Sequence, residues 1–218
     1  MTGVTHWGRR VVRIGAMVAA MAGAAVPLAQ AKTIIDEWLQ VKAPPPPALN
    51  AVRIEPATTA LIVMDISTKT CSSAHRPRCV ATLPAVAKLV REARASGVLV
   101  LYSLIGHDTR SDIPKAFAAR PSDTVLTGAG PDKFLGTDLE AILKARHIGT
   151  LIAVGTSAEG AVLNTASAAA FRGFEVIVPV DGMSSGTPFG EQSTAWYVAH
   201  APRVSQHAKL TAVDRINF

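Results

Sequence analysis

Four uninterrupted apolar runs constrain this chain more than any other feature: "TTALIVMD" (58–65), "VLVLYSLI" (98–105), "TLIAVG" (150–155) and "EVIVPVD" (175–181). A strand with one face in water alternates apolar and polar residues. A strand apolar at nearly every position must be covered on both faces, as in the interior of a parallel sheet. Helical stretches separate the runs. "VATLPAVAKLVREARASG" stops at Gly97, and "AEGAVLNTASAAAFRG" stops at Gly173. "GTDLEAILKARHIG" opens with Thr137 and Glu140 at capping-box spacing and closes at Gly149. "GEQSTAWYVAHAP" reads as a further helix, and "VSQHAKLTAVD" contains a last strand. Such alternation predicts an α/β fold, a central and mostly parallel sheet with helices on both faces. Ligands of such sheets bind outside the carboxyl ends of the strands, where the strand order reverses. The residues to weigh are therefore Asp65, Gly106 to Asp108, Gly155 to Ala161, and Asp181 onward.

The segment ahead of the first run has a different character. Residues 1–31 combine Arg9, Arg10 and Arg13 with an apolar run from Ile14 to about Val26 and a small-x-small end at Ala29 to Ala31. This is the layout of a secretory signal peptide cleaved after Ala31, and the paired arginines admit the twin-arginine route. The run is shorter than the ~20 residues a spanning helix needs, and Pro27 interrupts it. No membrane span is expected after cleavage, and the mature chain is expected to be periplasmic or secreted. Residues 32–57 read as an arm, with an amphipathic piece ("TIIDEWLQV") followed by the semi-rigid spacer "APPPPALN". Residues 58–218 then form one domain, as the length of 218 residues favours.

Removing residues 1–31 takes away three arginines and no acid, so the formal charge of +6 drops to +3. Without a Lys/Arg cluster or interleaved aromatics, this mild excess carries no nucleic-acid footprint. In an exported chain, Cys71 and Cys79 of "STKTCSSAHRPRC" are expected to form one disulfide stapling that loop. A metal site including His75 is the competing reading, but the spacing fits no zinc pattern and lacks a fourth ligand.

The strand-end Asp65 is followed in turn by "FLGTDL", the Gly155 turn, "TA", "RGF" and "DGMSS". In this order and spacing the chain resembles the isochorismatase-like cysteine hydrolase superfamily from roughly Thr58 onward. The resemblance implies a three-layer α/β/α sandwich, a small-molecule ligand and a tendency to form homo-oligomers. It also implies a triad in the amidase members: an Asp ending the first strand, a Lys before the "FLGTDL"-like segment, and a Cys opening the helix after the Gly turn. A helix start lowers a thiol's pKa and offers N–H groups to an oxyanion.

Carried over residue by residue, the Asp is Asp65, the Cys position holds Ala161, and counting back from Phe134 and Thr137 puts the Lys position at Gly128. Lys133 is a weak substitute in the same loop and reads first as a surface lysine. Ser157, four residues before Ala161, is a weak nucleophile candidate with no base evident. Members that cleave a vinyl ether can carry glycine at the Cys position, with the strand-end Asp as general acid beside a retained Lys. Asp65 is therefore the acid/base candidate. Thr156, Gly160, Ala161 and His107 are the candidate binding residues, with the Gly160 and Ala161 N–H groups facing a ligand oxygen. The Thr156–Ser157 peptide is the candidate cis bond of the turn. No cofactor or metal is expected. A non-catalytic binding or interaction protein on the same fold stands beside the hydrolase reading.

Overall fold

The computed structural model describes residues 31–218 and, apart from them, Gly3. The expected signal segment otherwise lies outside the described residues. The chain divides into two compact units, residues 1–43 and 44–218. In the first, "TIIDEWLQ" forms helix α1 (Ile34–Glu37) and a 3₁₀ turn at Trp38–Gln40. Ile34, Ile35, Trp38 and Leu39 are exposed.

In the second unit, six strands form a continuous parallel sheet in the order β4-β3-β2-β5-β6-β8. They are β2 (Thr59–Met64), β3 (Leu99–Ser103), β4 (Thr124–Leu126), β5 (Thr150–Thr156), β6 (Glu175–Pro179) and β8 (Ala208–Thr211). A short strand β7 (Met183–Ser184) adds to the end of β5. The four apolar runs supply β2, β3, β5 and β6. β2 shows why they had to be buried on both faces. Ala60, Ile62 and Met64 pack with Leu139 and Leu143 of helix α3 (Leu139–Ala145) and with α4 (Leu163–Phe171) and α5 (Pro188–His200). Leu61 and Val63 pack on the other side with Val86, Leu89 and Val90 of α2 (Pro77–Ala95). The three layers expected from the sequence are these. A short α6 (Val204–His207) leads into β8.

Strand order reverses at the centre. From β2 the chain moves outward through β3 and β4, then returns to β5 on the other side of β2. The crevice of such a sheet opens at this switch point, above the carboxyl ends of β2 and β5. The two strands approach closely there. Met64 is in register with Gly155, whose φ is +143°, and a Cβ on Gly155 would overlap the Met64 carbonyl. Only glycine allows this approach.

Some local expectations are corrected. Residues 44–57, expected to belong to the arm, fall within the second unit. There β1 (Val52–Arg53) pairs with β9 (Ile216–Asn217), Val52 and Ile54 are buried, and the Asn50 N–H donates to the Leu210 carbonyl. The capping box at Thr137 does not form, because the Thr137 hydroxyl donates to the Lys133 carbonyl while accepting from the Leu139 N–H. Glu140 pairs instead with Lys144 and Arg172. Among the described residues no helix is long and apolar enough to cross a membrane.

Candidate active site

Asp65 follows the last residue of β2 and turns the chain out of the sheet with a φ of +57°, an unusual value for a residue with a Cβ. The side chain is buried, and both of its oxygens are engaged. Oδ1 accepts from the Ser103 hydroxyl at the end of β3 (2.7 Å), and Oδ2 accepts from Lys133 Nζ (2.7 Å). Lys133 is fully buried, with 0% of its surface exposed. Its ammonium also donates to the Gly130 carbonyl (2.9 Å). Three further bonds fix its backbone: its N–H donates to Thr165 Oγ1 on α4 (3.1 Å), the Thr165 hydroxyl donates to the Pro131 carbonyl, and the Thr137 hydroxyl donates to its carbonyl. A buried lysine at this spot is thus built into the fold by α4 and by the "GTDL" turn.

This overturns two sequence expectations. Lys133 is not a surface lysine, and Gly128 does not hold the lysine's place. Gly128 is an exposed turn residue with φ +72°. The count back from Phe134 assumed that the segment runs straight into the site. Residues 127–138 are instead a succession of turns, which bring the lysine next to Phe134 inward.

On the β5 side, the chain leaves the sheet through Thr156 and Ser157, whose peptide is cis, and winds through a π-helical turn (Ala158–Val162) into α4. Ala161 lies in this turn and is buried, part of the same apolar core as Met64, Phe134 and Ala158. Of the two N–H groups expected to face a ligand oxygen, that of Gly160 is already committed, donating to the Ser157 carbonyl at 3.2 Å. Ser157 Oγ sits 2.6 Å from where a Gly160 Cβ would be. Among the described residues no side chain is hydrogen-bonded to this hydroxyl, so the turn gives no support to a serine nucleophile. Thr156 is buried at the end of β5, donating to the Ser184 carbonyl (3.3 Å) and accepting from Arg76 Nη1 (3.1 Å). His107 is exposed in the loop after β3, and no hydrogen bond ties it to these residues. Its neighbour Asp108 is engaged by the Ser67 and Thr70 hydroxyls.

Cys71 and Cys79 form the expected disulfide, with Cα atoms 5.3 Å apart. The loop it closes carries Arg76 and Arg78. Arg78 forms an ion pair with Glu191 of α5, and Glu191 in turn accepts from the Ser185 N–H. Burial pushes the Glu191 carboxyl up, but Arg78 and the Ser185 N–H outweigh it and leave the group below its ordinary value. No three His, Cys, Asp or Glu side chains among the described residues cluster as metal ligands do.

Sequence reasoning missed Ser103, Thr165 and Arg76. Ser103 had a readable signal, being a small polar side chain set between Tyr102 and Leu104 inside a doubly buried run. Thr165 was read only as part of the "TA" motif, with no role given to its hydroxyl, and Arg76 lies in a loop whose path the sequence does not specify.

The parallel sheet covered on both faces, its switch point between β2 and β5, and the buried acid–lysine pair there make this an isochorismatase-like α/β hydrolase fold. The chain belongs to the isochorismatase family, the isochorismatase domain model matching residues 59–207. The chain is similar to the uncharacterized isochorismatase family protein PncA of Bacillus subtilis (strain 168), with 37% identity over 67 residues. These make up 31% of this chain and 35% of that protein, so the chain spans about a third of the curated relative it matches. Among solved structures, the isochorismatase family protein from Desulfovibrio vulgaris superposes with a TM-score of 0.65 at 22% identity, over 72% of this chain and 95% of that one. N-carbamoylsarcosine amidase from Thermoplasma acidophilum superposes at 0.63 and 24%, over 72% and 97%. At these identities the likeness shows the fold.

Proposed function

We propose that the domain hydrolyses a small carbonyl or carboxylate compound, with Asp65 moving the protons, Lys133 holding it, and no cysteine taking part. The observation that carries this reading is the buried Lys133 ammonium 2.7 Å from Asp65 at the switch point. Two charges taken out of water stabilise a fold no better than apolar residues of the same volume, so their retention at the switch point, where such sheets bind ligands, favours a chemical use.

The step balances simply. Asp65 takes a proton from a water whose oxygen adds to the carbonyl carbon, and the electron pair of the C=O bond moves to its oxygen beside the start of α4. When that pair returns, the bond to the leaving group breaks and Asp65 hands it the proton. The products together contain the atoms of the substrate and one water, and Asp65 ends as it began. Lys133 keeps the carboxylate oriented and stabilises charge in a site that excludes water. An acid and a lysine without a cysteine is also the arrangement that the resemblance assigns to vinyl-ether-cleaving members. Enol ethers therefore belong among the test substrates.

The test is a panel of small amides, esters and enol ethers followed by NMR. Turnover is expected in the wild type, falling at least about 100-fold in Asp65→Asn and persisting in Ser157→Ala. A wild type that binds panel members without turning any over favours the second reading, a small-molecule binding protein. One observation speaks for that reading: both Asp65 oxygens already have partners.

Export and self-association complete the proposal. The basic and apolar start of the chain and the disulfide support export. Leu163, Phe171 and Tyr197, which line an open groove of about 410 Å³ across α4 and α5, support a homo-oligomer. Light scattering giving a monomer mass would contradict the latter.

A further inference from the structure

Two arginines in the disulfide loop, two residues apart, have different partners. Arg78 is neutralised by Glu191. Arg76 pairs with no carboxylate among the described residues and spends one N–H on the neutral Thr156 hydroxyl (3.1 Å). Its position is over-determined. The Arg76 N–H donates to the Ser72 carbonyl (2.7 Å), its own carbonyl accepts from the Cys79 N–H (3.0 Å), and the disulfide closes the loop between. Pro77 then starts α2 immediately after it.

The place this loop reaches is the reaction site. Met64 and Gly155 are the last pair in register between β2 and β5, and Asp65 and Thr156 are the next residue of each chain, so both lie at the carboxyl end of the two central strands. A guanidinium held on Thr156 is therefore placed at the same strand-end switch point from which Asp65 projects, and its remaining side-chain N–H donors have no partner among the described residues, leaving them for a bidentate acceptor. Ser72 and Ser184, whose carbonyls hold Arg76 and Thr156, each carry a buried hydroxyl that has no hydrogen-bond partner. Buried hydroxyls of this kind are otherwise satisfied in folded proteins. An unpaired cation and two orphan hydroxyls around one strand end fit a group rich in acceptor oxygens.

We propose that Arg76 binds a carboxylate of the substrate, and that the Cys71–Cys79 disulfide keeps it in place to do so. The substrate is then a small carboxylate that carries its hydrolysable carbon a few bonds away, over Asp65. This rests on the hydrolase reading for the reaction but not for the binding, so the two can fail separately.

The test uses the full chain with its disulfide intact and measures Kd by calorimetry for acetate, pyruvate, benzoate and salicylate against their carboxamides. At least one carboxylate is expected to bind at least about tenfold more tightly than its amide, because the amide cannot form the charge-assisted fork. Arg76→Gln should erase that preference. Arg76→Lys should recover only part of it, since an ammonium supplies charge without the planar donor pair. Both variants should unfold at the wild-type temperature, because Arg76 is only half-buried and satisfies no buried charge. The Cys71→Ser/Cys79→Ser variant should weaken carboxylate binding severalfold; wild-type Kd values in it would overturn the disulfide's part. Failure of every carboxylate to outbind its amide, or a preference unchanged in Arg76→Gln, would overturn the assignment. The latter result combined with loss of binding in Asp65→Asn would leave the hydrolase site standing while removing Arg76 from it.

Discussion

Replacing Lys133 with methionine keeps the volume of the side chain and removes its charge. In the folded protein the Asp65 carboxylate would then lie in a dry site, only about 5% exposed, with the Ser103 hydroxyl as its remaining side-chain partner. Removing one member of a buried ion pair costs about 3–5 kcal/mol because the other charge is left uncompensated. Asp65→Asn strands the ammonium in the same way, leaving it neutral acceptors, the Gly130 carbonyl and the amide oxygen, but no counter-charge. The double variant leaves no stranded charge, so its loss should fall at least about 3 kcal/mol short of the sum of the two single losses. Urea unfolding of the four proteins at pH 7, followed by far-ultraviolet circular dichroism, closes the cycle. A Lys133→Met protein within about 1 kcal/mol of wild type would refute the reasoning, because a solvated surface lysine behaves that way.

Breaking the disulfide as Cys71→Ser/Cys79→Ser should lower stability by about 2.5 kcal/mol, the loop-closure entropy of its eight-residue separation, measured by thermal unfolding of the variant. Burial pushes the Tyr102 phenol up to about 12, against the pull of nearby Arg94. An unfolded tyrosine ionises near 10, so the stabilisation is intact below pH ~10 and is lost as pH rises through ~12. Tyr102→Phe should flatten that part of the stability profile while losing the hydrogen bond to the Phe117 carbonyl. Ala161→Cys places a thiol at the helix start beside an acid–lysine pair that is already present. Its ionisation, followed by thiolate absorbance, should lie below the ~8.5 of free cysteine, and a value at or above that would contradict the electrostatics assigned to the turn.

The fold was legible because burial on both faces leaves a one-dimensional trace. A run such as "ALIVM" cannot be half-wetted, and the helices between the runs end on glycines. The short pairings of β1 with β9 and of β7 with β5 left no such trace, since two residues are too few to show a period. In the site, Asp65 was readable because an acid ending an apolar run can only project from the sheet edge. Lys133 was not, because its depth is decided by a loop. The Thr165 and Thr137 hydroxyls and the Gly130 carbonyl that draw it inward are 3 to 32 residues away. Arg76 was hidden for the same reason, its bond to Thr156 spanning 80 residues.

The central claim is that the Asp65–Lys133 pair activates water directly and that no side chain carries the substrate. Intact-mass spectrometry of the wild-type protein, acid-quenched at successive times during turnover of the best panel substrate, tests it most directly. The account predicts an unmodified protein mass at every time, and no product formation in Asp65→Asn over the same interval. A transient adduct on the protein, or turnover in Asp65→Asn within about tenfold of wild type, would contradict it.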